Sequence, residues 1–195
     1  MAALTTSSLP SRGGPRAEIA PEHRNLVEGR VHISDYDPKW PYLFEREAAR
    51  VRGALGDRVL LFEHVGSTAV PGMPAKPCVD LLLLVADSAD EASYLPDLEA
   101  AGYSLVIREP DWYEHRVFKG REVNINLHVF SRGCEEAERM RRFRDRLAAD
   151  AGARERYAAV KRELSRRTWE RIQDYSDSKS EIVLQILAEA EKTRA

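Results

Sequence analysis

Between Glu63 and Val85 the chain reads EHVGSTAVPGMPAKPCVDLLLLV, and this stretch concentrates the residue types that do chemistry. A Gly66-Ser67-Thr68 turn, His64 and Lys76 stand ahead of an apolar run headed by a single acid, Asp80. Burying a carboxylate in such a run is costly unless it is paired, hydrogen-bonded or bound to a cation. In phosphoryl and nucleotidyl transfer, backbone N–H groups of a Gly-rich turn cradle phosphate oxygens. Acids on nearby strands hold the magnesium that spreads the charge. A Gly-Ser turn followed by an acid on a strand has that layout. The same residues admit a structural reading, with Asp80 tied to a backbone amide, His64 bonded at the core edge and Lys76 facing solvent or pairing with Asp80.

A second group of polar residues lies on the segment Val123 to Phe130. Its alternation puts Val123, Ile125, Leu127 and Val129 on one face and Asn124, Asn126, His128 and Phe130 on the other. A row of Asn, Asn and His is either the wet side of a hairpin or the wall of a cleft, and each member needs a partner. His115 and Arg116 open the preceding strand and fall within reach of the same cleft. Trp112 and Tyr113, in the loop at Pro110, are candidates for stacking a base or for a packed lid. Pro71, Pro74 and Pro77 stiffen the connection from Ser67 to Asp80, which favours a preformed pocket.

The elements that would position these groups follow from periodicity. A short strand is expected at Val31, then a helix from Trp40 to Leu55, stopped by Gly56-Asp57. Val59 to Phe62 is the first expected core strand and Val79 to Val85 the second, buried on both faces. A helix over Glu91 to Ala101 ends at Gly102, a strand runs from Tyr103 to Ile107, and a hairpin joins Arg116–Phe118 to Val123–Phe130. Three charged helices then follow: Glu135 to Ala149, Ala153 to about Asp174, and Ser178 to about Lys192. Ser178 with Glu181 has the spacing of a capping box. The arginines at 139, 141, 142, 144 and 146 read as a solvated helix face with neighbouring acids rather than a phosphate site.

Composition excludes several classes. The chain has 195 residues, 43% hydrophobic and 32% charged, which suits one globular domain with a sizeable core. A formal net charge of −2 gives no global pull toward nucleic acid or an anionic membrane, and no stretch has the apolar length of a membrane span. Cys78 and Cys134 sit in no metal-type spacing and are expected as reduced thiols in a cytoplasmic protein. Residues 1–30, rich in Ser, Thr, Pro, Gly and Ala, read as a flexible extension, and residues 31–195 as one domain.

The block HVGSTAVPGMPAKPCVDLLLLV strongly resembles the signature of GrpB-like proteins, a bacterial branch of the nucleotidyltransferase-like fold. DYDPKWPYLFEREAARV, NINLHVF and the segments FRDRLAAD and RYAAVKREL agree with it, so the resemblance covers nearly all of the chain from Val31. It implies an α+β fold, a mixed sheet flanked by helices with further helices at the C-terminus, and a cleft where Gly66-Ser67 faces Asp80. Enzymes of that superfamily carry a second acid two residues after the first; here Leu82 stands in that place. A two-metal mechanism is therefore in doubt, because one carboxylate cannot clamp two ions. The resemblance leaves two kinds of site open. In one, His64, Asp80 and His128 bind a divalent metal, magnesium or a transition ion. In the other, Gly66, Ser67, Thr68, Lys76, Arg116 and Asn126 bind a nucleotide or phosphorylated metabolite. Ser67, Asp80 and His128 are the expected catalytic groups of a nucleotidyltransferase-like enzyme. The alternative is a non-catalytic nucleotide- or metabolite-binding module.

Overall fold

A computed structural model describes residues 29–192. The extension expected over residues 1–30 lies outside the described residues except for its last two. The first helix, α1 (Lys39–Leu55), follows a turn at Asp37, whose carboxylate accepts from the Lys39 amide at 2.9 Å. It buries Trp40, Ala48, Val51 and Leu55 against the sheet. The strand expected at Val31 is reduced to an isolated bridge, Ser34 to Ala75, while Val31 itself packs against Leu164 and Tyr175.

Five strands form one mixed sheet: β1 (Leu61–Val65), β2 (Val79–Val85), β3 (Tyr103–Glu109), β4 (His115–Gly120) and β5 (Ile125–Ser131). Their order is β1-β2-β5-β4-β3, with β2 and β5 parallel at the centre and the other neighbours antiparallel. The expected bounds of β2 hold, and β1 begins two residues later than its apolar run. A 3-10 turn at Glu91–Ser93 and the short helix α2 (Leu95–Ala100) replace the longer helix expected there.

The register decides which side chains meet. Leu81, Leu83 and Val85 of β2 and Ile125, Leu127 and Val129 of β5 face α1 and α2 in the main core. Asp80, Leu82 and Leu84, with Asn126, His128 and Phe130 beside them, face the other way. That second face is covered by α3 (Glu135–Ala149), whose Ala137 packs against Leu82 and Phe130. Beyond it α4 (Ala151–Ser165) and α6 (Ser180–Lys192) share a core of Leu147, Tyr157, Ala158 and Ile186.

The helix expected from Ala153 to Asp174 is two helices, α4 and α5 (Ile172–Asp177), with Trp169 packed between Leu164 and Tyr175 where the chain turns. The capping box does not form. Ser178 Oγ donates to the Tyr175 carbonyl at 2.7 Å and so serves the end of α5 instead. Four arginines of α3 do pair with acids, Arg141 and Arg144 with Glu63 of β1, Arg146 with Asp150, and Arg139 with Glu136, but all four are partly buried and Arg139 lines the cleft between α3 and the sheet, so they are not the solvated face expected.

Candidate active site

Between the second face of the sheet and helices α3, α4 and α6 lies a cleft of about 600 Å³. Its floor holds Gly66, Ser67, Asp80 and His128; its far wall holds Tyr157 and Lys179. Asp80 reaches it because β2 pairs Asp80 with Val65 on one side and Asn126 on the other, which puts all three on one face. Gly66 makes room. Its φ is +70°, and a Cβ there would stand 2.5 Å from Asp80 Oδ2, so only glycine lets turn and carboxylate approach so closely.

Asn126 Nδ2 donates to Asp80 Oδ1 at 2.6 Å, and Lys119 Nζ donates to Asn126 Oδ1 at 2.6 Å. The amide of Asn126 is thus fixed between a cation and an anion. His128 Nε2 stands 3.6 Å from the same Asp80 oxygen. Burial pushes the Asp80 carboxyl up, but the neighbouring His128, the charge of Lys76 and the Asn126 bond outweigh it and hold the group at about 2. Behind His128, its Nδ1 meets His115 Nε2 at 3.0 Å, and His115 Nδ1 meets Glu109 Oε2 at 2.7 Å.

Across the cleft, Lys161 of α4 donates to Ser67 Oγ at 3.0 Å and to the Pro74 carbonyl, with its ammonium 4.8 Å from the Tyr157 ring centre. Lys179, just before α6, lies 4.4 Å from the ring centre of Tyr175. Burial, aided by Lys179 and Arg162, lowers Lys161 to about 7. Burial and the charge of Lys76 lower Lys179 to about 8. Among the described residues neither lysine has a carboxylate within ion-pair distance.

Several expected members lie elsewhere. His64 alternates with Val65 and so faces α1, stacked on Phe44 at 5.2 Å, with Nε2 bonded to Thr68 Oγ1 at 2.9 Å. Burial depresses it to about 4, so it is a neutral ring on the side of the sheet away from Asp80. The triad of metal ligands His64, Asp80 and His128 does not assemble, and Thr68 is occupied by His64 rather than by the cleft. Arg116 also points to the opposite face, where Glu91 holds its Nε at 2.6 Å and Glu114 its other end at 3.2 Å. Its place on the strand, one residue from His115, gives it the wrong parity for this site.

Lys76 is half-buried, makes no bond to Asp80 and acts on it only through its charge. Trp112 is a wall: it is buried, with its ring edge-on to His115 at 5.2 Å and to Phe130 at 6.1 Å. Ser67, Gly66, Asp80, Asn126 and His128 do come together. Lys119, Lys161, Lys179 and Glu109 join them without having been singled out.

No group of three His, Cys, Asp or Glu among the described residues is placed to hold a metal ion. Leu82, on Asp80's face where a second acid would stand, is fully buried. The donor set therefore does not fit a two-ion clamp or a histidine-bound transition metal. It fits at most one magnesium held through Asp80 and a ligand's own phosphates.

Residues 30–189 match the GrpB protein family. The chain belongs to that family. A UPF0157 protein of Halalkalibacterium halodurans is 56% identical over 189 residues, covering 97% of this chain and 97% of its own length. The crystal structure of the conserved protein GrpB from Enterococcus faecalis superposes with a TM-score of 0.73 at 27% identity, covering 84% of this chain and 99% of that one. A dephospho-CoA kinase of Mycobacterium tuberculosis is 33% identical over 177 residues, which span 74% of this chain but 42% of the kinase. The mixed sheet, the C-terminal helices and the family expected from the GST…D block are thus all found. Among the described residues, no helix is long and apolar enough to cross a membrane.

Proposed function

We propose that this GrpB-family protein binds a nucleotide or another phosphorylated small molecule in the Asp80 cleft and acts on it as a nucleotidyltransferase-like enzyme. The observation that carries the reading is a pair of lysines at the cleft: Lys161 donates to Ser67 Oγ, and Lys179 lines the cleft near enough for its charge to act on Lys161. A buried and a half-buried ammonium group, neither with a carboxylate partner among the described residues, are costly to hold. A phosphate group beside Ser67 Oγ would accept from both and remove that cost. Asp80 would then hold one magnesium through the phosphates, which would spread the charge that builds on the transferred group, and His128 would stand beside the reacting atoms. The likeness to a segment of a dephospho-CoA kinase is in keeping with a phosphorylated ligand.

A binding module without turnover is the second reading, and the buried Leu82 favours it. A site with one carboxylate lacks the second ion of standard nucleotidyl transfer. The test has two arms. A panel of nucleoside mono-, di- and triphosphates, with and without magnesium, is screened by melting temperature on the wild type, Ser67→Ala and Lys161→Met. Mass spectrometry of the same mixtures then looks for new products. Stabilisation that both variants lose, with a product formed, supports the enzyme. The same stabilisation without product leaves the module. No stabilisation by any phosphorylated compound overturns both.

A further inference from the structure

We propose that Glu109 and His115 are positioning residues that lock the His128 ring with its proton on Nδ1. Nε2 is then left facing the cleft as acceptor for a ligand hydroxyl. The owner of that hydroxyl rests on the reading of the cleft given above, whereas the state of the ring can be measured with no ligand present.

The chain of contacts dictates the tautomer. Glu109 and His115 are directly paired across β3 and β4, and the 2.7 Å contact from Oε2 to His115 Nδ1 requires a proton on that nitrogen when the carboxylate is ionised. A neutral His115 then has a bare Nε2, which can only accept. The proton in the 3.0 Å contact to His128 must therefore sit on His128 Nδ1. Its own Nε2 carries the lone pair. That atom is 3.6 Å from Asp80 Oδ1, too far for a direct hydrogen bond, and Oδ1 is already taken by Asn126 at 2.6 Å. The gap leaves Nε2 open toward a proton-bearing group in the cleft.

The surroundings hold His115 rigidly. Its ring lies flat on Phe130 at 4.5 Å and 14°, lies nearly parallel to His128 at 5.2 Å and 9°, and is 3% exposed. The turn that delivers it places two successive non-glycine residues, Tyr113 and Glu114, at φ 56° and 49°. Such backbone is costly and persists only where the rest of the structure over-determines it. Other charges facing the ring pair are Lys119 through Asn126, Glu136 with Arg139 from α3, Lys161 from α4, and Asp177 and Lys179 ahead of α6. None of these touches Nδ1 of His128. A histidine whose second nitrogen is fixed by a carboxylate-backed partner is the arrangement that orients a working imidazole.

The experiment uses the full chain with histidine labelled in 15N, without ligand, at a mildly alkaline pH. Two-bond 1H–15N correlations report which ring nitrogen of His128 is protonated. The wild type is expected to show the Nδ1–H form. His115→Phe keeps a flat ring against Phe130 but removes the acceptor, and His128 is expected to change to the Nε2–H form. Glu109→Gln, the milder variant, is expected to lose the single-tautomer pattern and decides the matter if His115→Phe does not fold. A wild type with His128 as Nε2–H, or an Nδ1–H form that neither variant alters, overturns the proposal. A protein that no phosphorylated compound stabilises but that shows the predicted tautomers would sink the ligand reading alone.

Discussion

Replacing Asp80 by asparagine should destabilise the protein at neutral pH, and the deficit should shrink in acid. Considered from sequence, an acid at the mouth of an apolar strand looks strained without a cation, so that removing its charge would cost little or even help. The geometry reverses that sign. Against the cost of burial, the neighbouring His128, the charge of Lys76 and the 2.6 Å bond from Asn126 hold the carboxyl at about 2, below an ordinary 3.8. A group whose folded pKa is depressed adds stability above its unfolded pKa, and that stability is lost as pH falls through the folded one. A shift of nearly two pH units corresponds to roughly 2 kcal/mol. The side chain is 29% exposed, so solvent screening trims this figure. Asp80→Asn should therefore lose about 1–2 kcal/mol at pH 7. Urea denaturation of both proteins from pH 7 down to about 2.5 should show the gap narrowing below pH 4, where the unfolded chain's carboxylate takes up protons while the folded one, at about 2, still resists them. A variant as stable as the wild type at pH 7, or a gap that stays constant in acid, would refute the electrostatic account of Asp80.

Three further outcomes follow from the same geometry. Lys161, lowered from 10.5 to about 7, is the opposite case: the unfolded chain holds a proton that the folded one gives up. The ligand-free protein should then gain stability as pH rises from 7 toward 10, and Lys161→Met should flatten that rise in a melting series and add about 1–3 kcal/mol at pH 7. If a phosphorylated ligand restores the charge of Lys161 and Lys179, its binding at about pH 8 should take up protons, read by calorimetry in buffers of different ionisation heat. Gly66→Ala, which would put a methyl against Asp80 Oδ2 at a φ of +70°, should cost at least ~2 kcal/mol in denaturation, whereas His64→Phe should cost only about 1 kcal/mol and leave ligand binding intact.

Much of the framework is legible in the sequence because it is written in periods. The strict alternation of Val123–Phe130 assigns Asn126 and His128 to one face, and the structure keeps them there. The apolar run after Asp80 marks a strand buried on both faces, with its acid at the edge of the cleft. What pattern could not supply is parity across strands. His64 and Arg116 sit beside the right residues in sequence, yet each is one position out of phase and projects through the other side of the sheet. The lysines were hidden for another reason. Lys161 and Lys179 sit among many charged residues of the C-terminal helices, and only the packing of α4 and α6 onto the Ser67 turn distinguishes them from a solvated face. A usable signal was present: Lys161 lies four residues after Tyr157, on one helical stripe with Ala153, Ala158 and Leu164, all buried.

The charge balance of the cleft bears on why one acid could be enough. A two-ion site sets several carboxylates around two magnesium ions, and the ions neutralise the phosphates. Here the second acid is a buried leucine, and the positive charge comes from the chain itself: Lys161 at Ser67, Lys179 before α6, and Lys119 reaching Asp80 through Asn126. On the proposed reading these lysines take the place of the second ion. Preorganised cations in a partly dry site stabilise phosphate charge without having to be recruited. The cost falls on the ligand-free state, in which burial holds Lys161 at about 7 and Lys179 at about 8. Such a site should respond to pH in the neutral range more steeply than one that relies on magnesium alone. Its affinity for phosphate should fall as the lysines deprotonate, because a neutral amine gives the phosphate no charge to pair with. That dependence separates lysine-based from metal-based recognition: removing magnesium with a chelator should weaken binding less than raising the pH from 7 to about 9. Binding that disappears with the chelator and ignores the pH step would mean that the ion, and not the lysines, holds the ligand.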